Sequence, residues 1–195
     1  MKKITDSILA AVLLLTYNIS AQDYTVNTEK SKIHWIGKKV TGEHDGFIQL
    51  KQGKFSVIDD QIKNGQFTID MNSMTCTDIE DAQYNQKLIG HLKSADFFGV
   101  EQFPKAKLVL TKSSKFKNNQ CVVQGDLTIK NKTDVVKFLV KRDGQTFKAT
   151  IEVDRSKYDV RYGSSSFFDN LGDKVIYDVF ELDVELTLNE ILNHE

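Results

Sequence analysis

Alternation of apolar and polar residues is the strongest signal in the chain. From Lys174 to Leu188 the sequence KVIYDVFELDVELTL places Ile176, Asp178, Phe180, Leu182, Val184, Leu186 and Leu188 on one face. Val175, Tyr177, Val179, Glu181, Asp183, Glu185 and Thr187 fall on the other. Successive side chains of a strand point to opposite faces, so the segment reads as one long strand with a buried face and a wet face. About fifteen residues is well beyond the usual five or six. Such a strand needs partners along its whole length, and an antiparallel sheet curled around an apolar interior supplies them.

The same period recurs upstream. Tyr24 to Val40 is strand-like, with Ile33 and Trp35 on one face and His34 and Ile36 on the other. Thr41 to Gly46 reads as a loop, and a strand then carries Phe47, Ile48 and Leu50 and resumes at Phe55, Val57 and Ile58. Asn64-Gly65 has the chemistry of a hairpin turn, with Phe67, Ile69 and Met71 alternating after it. At Thr77 the period changes. Thr77 with Glu80 forms a capping box, and Ile79, Ala82, Leu88, Ile89 and Leu92 approximate helical spacing, so a helix is expected there. The aromatic group Phe97, Phe98 and Phe103 before Pro104 lacks strand alternation and reads as a plug or lid. From Lys105 the strands return. Turn signals lie at Asn131-Lys132 and Asp143-Gly144, and a longer loop runs from Arg155 to Asp173. The expectation is an all-β fold with a small helical insert: a meander of about eight antiparallel strands, closed as an up-and-down β-barrel.

Length and composition narrow this further. The 195 residues fit one domain, and no repeat or Pro-rich linker divides them. A formal net charge of −1 argues against a nucleic-acid partner. Met1, Lys2 and Lys3 precede the apolar run Ile8 to Tyr17, which is shorter than the roughly 20 residues a membrane span needs. Small residues Ser20 and Ala21 follow. Residues 1–21 therefore read as a secretory signal peptide and 22–195 as the exported domain, periplasmic or secreted, with no stable membrane span. Cys76 and Cys121 read as two separate thiols, although export would permit a disulfide. His34, His44, His91 and His194 have no metal-site spacing, and no GxSxG, P-loop or GxGxxG motif is present. No metal, cofactor or catalytic group is expected.

Several segments, in order and spread over most of the chain, resemble the YceI-like family of exported lipid-binding proteins. They are Ser31 to Gly37 (SKIHWIG), Gly42 to Gly46 (GEHDG), His91 to Phe98 (HLKSADFF) with Phe103-Pro104, Gly125 to Ile129 (GDLTI), Asp154 to Val160 (DRSKYDV) and Gly172 to Val175 (GDKV). The resemblance implies a lipocalin-like antiparallel barrel that holds a polyisoprenoid, or a similar lipid such as a quinone, in its interior. The loop Arg161 to Leu171 is longer than the resemblance leads one to expect.

Given a hollow barrel, the tail-contact candidates are Trp35, Phe47, Phe97, Phe98, Phe103, Phe138, Phe167, Phe168, Ile176 and Phe180. Arg155, Lys157 and Arg161 are candidates for a phosphate head group, because arginine pairs with phosphate bidentately. His44, among turn residues, is a candidate polar contact at one barrel end. The expected function is non-catalytic binding, transport or storage of a long-chain polyisoprenoid or similar apolar lipid, by a monomer or a homodimer. Two alternatives stand beside it. One is an enzyme acting on a lipid head group, for which Asp178 and His91 are the suggestive residues. The other is a ligand-free interaction module.

Overall fold

A computed structural model describes residues 22–189. The segment read as a signal peptide lies outside them. Eight strands, β1 (Gln22–Lys39), β2 (Gly42–Ile58), β3 (Gln61–Asp70), β4 (Lys105–Ser113), β5 (Gln120–Ile129), β6 (Lys132–Asp143), β7 (Thr146–Asp154) and β8 (Val179–Leu188), pair antiparallel in chain order. β8 returns to β1, with Trp35 opposite Leu182 and Ile33 opposite Val184, and this closes the barrel. The sheet is thus the expected eight-stranded antiparallel barrel, with one helix, α1 (Ala82–Lys93), between β3 and β4. Among the described residues no helix is long and apolar enough to cross a membrane.

Inward positions follow the alternation. Cys121, Val123, Leu127 and Ile129 of β5 and Phe147, Ile151 and Val153 of β7 are buried. The outward Val122, Val135 and Leu139 are exposed. At one end, where the β2–β3, β4–β5 and β6–β7 turns lie, aromatic rings form a floor. Tyr24 stacks on Phe55 at 5.1 Å, and Phe147 meets Phe55 edge-on at 5.0 Å. Arg142 lies 4.4 Å above the Phe116 ring and pairs with Asp60 at 3.1 Å.

Four local expectations are corrected. Asn64-Gly65 lies inside β3 and is not a turn. The hairpin is made by Asp59-Asp60, both at positive φ (50° and 59°), as a two-residue turn matched to the strand twist requires. Gly65 is needed for space, because a Cβ there would stand 2.7 Å from Leu110 Cδ1. The β5–β6 turn is Lys130-Asn131, one residue earlier than expected, and the β6–β7 turn is Gly144-Gln145, one later. Gly42 to Gly46 is strand, so the β1–β2 connection is only Val40-Thr41.

The long last strand is also shorter than its pattern. A 3₁₀ turn occupies Gly172–Lys174, and regular pairing starts at Val179. Val175 and Tyr177 still bond the end of β1 through Val40 N–H and Lys38 C=O. The ladder breaks at Asp178, whose side chain is drawn to Arg155 and Ser166.

The helix begins later than the capping box implied. Thr77 spends its hydroxyl on the Asp45 carboxylate at 2.6 Å, so Asp81 caps instead, accepting from the N–H groups of Gln83 and Tyr84. Ahead of the helix, residues 73–77 run along the β2 edge that β3 has left free. Thr75 N–H bonds Phe47 C=O and Thr77 N–H bonds Asp45 C=O. Ser73 Oγ and Thr75 Oγ1 accept from the N–H groups of Gln49 and Phe47. Trp35 Nε1 donates to Thr75 C=O at 2.9 Å.

This edge packing leaves no room at Gly46, where an added Cβ would lie 1.9 Å from Thr75 O. Gly46→Ala is expected to destabilise the protein by about 1–3 kcal/mol through overpacking. Urea denaturation followed by circular dichroism measures it, and a variant as stable as the wild type would refute the tight seating of this segment.

Candidate functional site

The alternation that builds the barrel leaves its interior incompletely filled. A cavity of about 380 Å³ runs between the aromatic floor and the helical lid. Its wall is apolar on every side: Ile33 of β1, Leu50 of β2, Leu108 of β4, Leu127 of β5, Ile151 of β7 and Leu182 of β8 are representative. Of the lid, Leu88, His91 and Leu92 face it from α1, with Phe97 and Phe98 from the following turn. These two rings meet edge-to-face at 4.9 Å, and Phe98 reaches Phe180 at 6.3 Å.

Eight of the sequence candidates line this space: Trp35, His44, Phe97, Phe98, Phe138, Arg155, Ile176 and Phe180. Five do not. Phe47 is on the outer face of β2, 41 % exposed and against His34, because its neighbour Ile48 takes the inward position. Phe103 packs near Gly99 behind the lid. Arg161 is exposed, ion-paired with Asp159 and stacked over Phe167. Phe168 borders a separate, open depression with Arg161 and Lys174. Sequence reasoning passed over Phe55, Phe67 and Phe147, the deep end of the cavity. Their strand parity was legible and placed them inside.

Arg155 lines the cavity, yet it has no donor to spare. It is 2 % exposed. Nε donates to Tyr177 C=O, Nη1 to Val160 C=O (2.8 Å) and Tyr162 C=O (2.9 Å), and Nη2 to Ile176 C=O (2.8 Å). Nη2 also lies 3.3 Å from Asp178 Oδ1. A guanidinium has five N–H groups; four serve backbone carbonyls and the fifth faces Asp178. The residue fastens the loop after β7 to the segment before β8, which corrects its reading as a phosphate ligand. Lys157 lies on the same 3₁₀ turn (Arg155–Tyr158) and is exposed. Burial lowers the Arg155 pKa, opposed by Asp178 and Asp154.

Two histidine–aspartate pairs lie beside the lid's leading segment: one joins β1 to β2, and the other joins β2 to that segment. His34 Nε2 is 3.0 Å from Asp45 Oδ1, and His44 Nδ1 is 2.8 Å from Asp78 Oδ2. Asp78 Oδ1 also accepts from Asp45 N–H and the Cys76 thiol, both at 3.1 Å. Burial pulls the Asp78 carboxyl upward, but the bonds from His44, Asp45 and Cys76 prevail and hold it at about 2. Cys76 and Cys121 are both free and buried. Burial raises both thiols, Cys121 to about 11, so neither is a ready thiolate. Asp178 is not on the cavity wall: it faces Arg155 and accepts from Ser166 Oγ at 2.6 Å. Among the described residues no cluster of three or more His, Cys, Asp or Glu side chains could hold a metal.

A closed eight-stranded barrel with an apolar chamber beneath a helical lid defines the class. The chain belongs to the YceI-like domain family, whose model matches residues 24–188. It is 28 % identical over 142 residues to a UPF0312 protein of Shewanella denitrificans, covering 69 % of this chain and 70 % of that relative. Its fold resembles BcnA of Burkholderia cenocepacia, with a TM-score of 0.65 and 24 % identity, over 83 % of this chain and 98 % of that one. It also resembles a polyisoprenoid binding domain from Saccharophagus degradans implicated in plant cell wall breakdown. There the TM-score is 0.57 and the identity 14 %, over 85 % of this chain and 97 % of the other.

Two outcomes follow from the geometry. Arg155→Met leaves four carbonyls and the Asp178 carboxylate without their partner, and should cost about 3–5 kcal/mol in chemical denaturation; a loss below about 1 kcal/mol would contradict the assigned role. The second concerns acid. Asp78's folded pKa lies below its ordinary 3.8, so its pairing contributes stability above about pH 4 that is lost as pH falls toward 2. The stability gap between wild type and Asp78→Asn should narrow steadily over that range in urea titrations. A gap independent of pH would refute the pairing.

Proposed function

We propose that this protein is a non-catalytic binder of a long apolar lipid, of polyisoprenoid type, held inside the barrel. The observation that carries the reading is the chamber itself. Every strand turns an apolar face toward about 380 Å³ of space that the side chains leave unfilled. An eight-stranded barrel is wide enough either to be packed solid or to hold one small ligand, and a dry apolar wall with a few polar groups near one end is the usual form of a ligand site. A prenyl tail has matching chemistry, gaining about 0.8 kcal/mol for each methylene it buries. The similarity to a polyisoprenoid binding domain supports the same ligand class.

The non-catalytic assignment rests on the state of the reactive groups. Both cysteines are protonated and buried, and Asp178 and Arg155 neutralise each other. The signal-like N-terminus supports export, so the protein would meet its lipid in the periplasm or outside the cell. Polyisoprenoid storage or shuttling there requires no cofactor and no nucleic acid.

Mass spectrometry of an organic extract from gently purified protein tests the reading. Wild type should yield a prenyl or similar long-chain lipid. Phe180→Arg, with its circular dichroism unchanged, should yield none, because it sets a charge on the cavity wall. Lipid-free extracts from both would refute the proposal.

A further inference from the structure

One polar atom beside the chamber has no partner. His91 Nε2 is fully enclosed, yet accepts from and donates to nothing. A buried polar nitrogen without a hydrogen bond loses its hydration with nothing in return, so it calls for an explanation. The ring sits in the last turn of α1 and lines the cavity. It is gripped edge-to-face by Tyr162 at 4.3 Å and Phe97 at 5.6 Å. Tyr162 is half exposed and is followed by Gly163 at φ 62°. Displacing that phenol side chain uncovers the imidazole at the lid end of the chamber.

The surroundings bear on what can reach it. Arg155, stacked 5.4 Å over Phe97, has its N–H groups committed to Val160, Tyr162, Ile176 and Tyr177 carbonyls and to Asp178, and has none for a head group. Lys38 and Lys39 also line the cavity. An uncharged oxygen needs only one partner, and an imidazole nitrogen serves as donor or acceptor according to tautomer. Resting on the lipid-binding reading, we infer that His91 is the hydrogen-bonding anchor for an oxygen at the head of that ligand. The tail lies toward the Phe55 and Phe147 floor, and the head displaces Tyr162 and bonds Nε2.

Trp35 is the only tryptophan in the sequence and lines the cavity, so its fluorescence reports occupancy from one position. The protein, stripped of lipid, is titrated with geranylgeraniol and with the head-less hydrocarbon of the same length. The alcohol should bind more tightly than the hydrocarbon. His91→Phe keeps an aromatic ring between Phe97 and Tyr162, and should weaken the alcohol about three- to tenfold while leaving the hydrocarbon unchanged. His91→Gln, which restores a donor and an acceptor, should recover part of the loss. The ¹⁵N resonance of His91 Nε2 should move with the alcohol and stay still with the hydrocarbon. Alcohol and hydrocarbon binding that fall together in His91→Phe, or a wild type that binds the two equally, overturns the anchor alone. Failure of both lipids to perturb Trp35 overturns the lipid-binding reading, and the anchor with it.

Discussion

An antiparallel sheet has two edges of unpaired backbone groups, and here they are joined to each other. The β1–β8 ladder is the contact on which the remaining structure depends, because it converts a meander into a closed surface with an inside. Each strand brings one apolar face, so closure and burial are the same event. The side-chain period is two. A slip of one residue at any of the eight ladders would turn an apolar row outward and a charged row inward. Register is therefore set by the interior, and the interior exists only because the edges meet.

The two ends of the barrel are closed by different physics. The floor is aromatic packing, with Arg142 covering Phe116 and tied to Asp60. The lid end contains irregular backbone, since β8 begins only at Val179 and the loop after β7 folds back over the opening. Buried carbonyls outside regular structure must find donors. Arg155 meets that need for Val160, Tyr162, Ile176 and Tyr177 at once. A charge so deeply buried would be unfavourable alone, and Asp178 beside it offsets the cost. The same Asp178 interrupts the strand pattern, so the polar break in the last strand and the buried arginine are two halves of one arrangement.

Strand number, order and inner faces could be read from the chain because they depend on period two, which neighbouring residues carry themselves. The errors arose where tertiary hydrogen bonds decide. Asn64-Gly65 has turn chemistry, but Leu110 needs the space that Gly65 leaves. Thr77 has capping chemistry, but Asp45 takes its hydroxyl. Among the site candidates, choosing by aromatic character brought in Phe47, Phe167 and Phe168, which face outward, and passed over Phe55 and Phe147, whose parity placed them inside. The charge of Arg155 suggested a phosphate partner. Nothing local in the sequence could reveal that five protein groups already surround it. The unpaired state of His91 is likewise a property of the packed lid, invisible in the order of residues.

The lid itself is held by polar contacts more than by buried surface. No residue of α1 is fully buried. Its approach segment is attached through the β2 edge, through Trp35 to Thr75, through Thr77 to the Asp45 carboxylate, and through the His44–Asp78 pair. Leu88 and Leu92 of the helix line the chamber, and Leu92 also packs on the core. Side chains beside empty space lack part of the dispersion attraction that a filled interior supplies. A lipid held in the chamber, as proposed, would complete the packing of the lid, and by mass action a ligand bound only by the folded form stabilises that form. Polar contacts determine where the lid sits, and on the proposed function the lipid would determine how firmly it is seated.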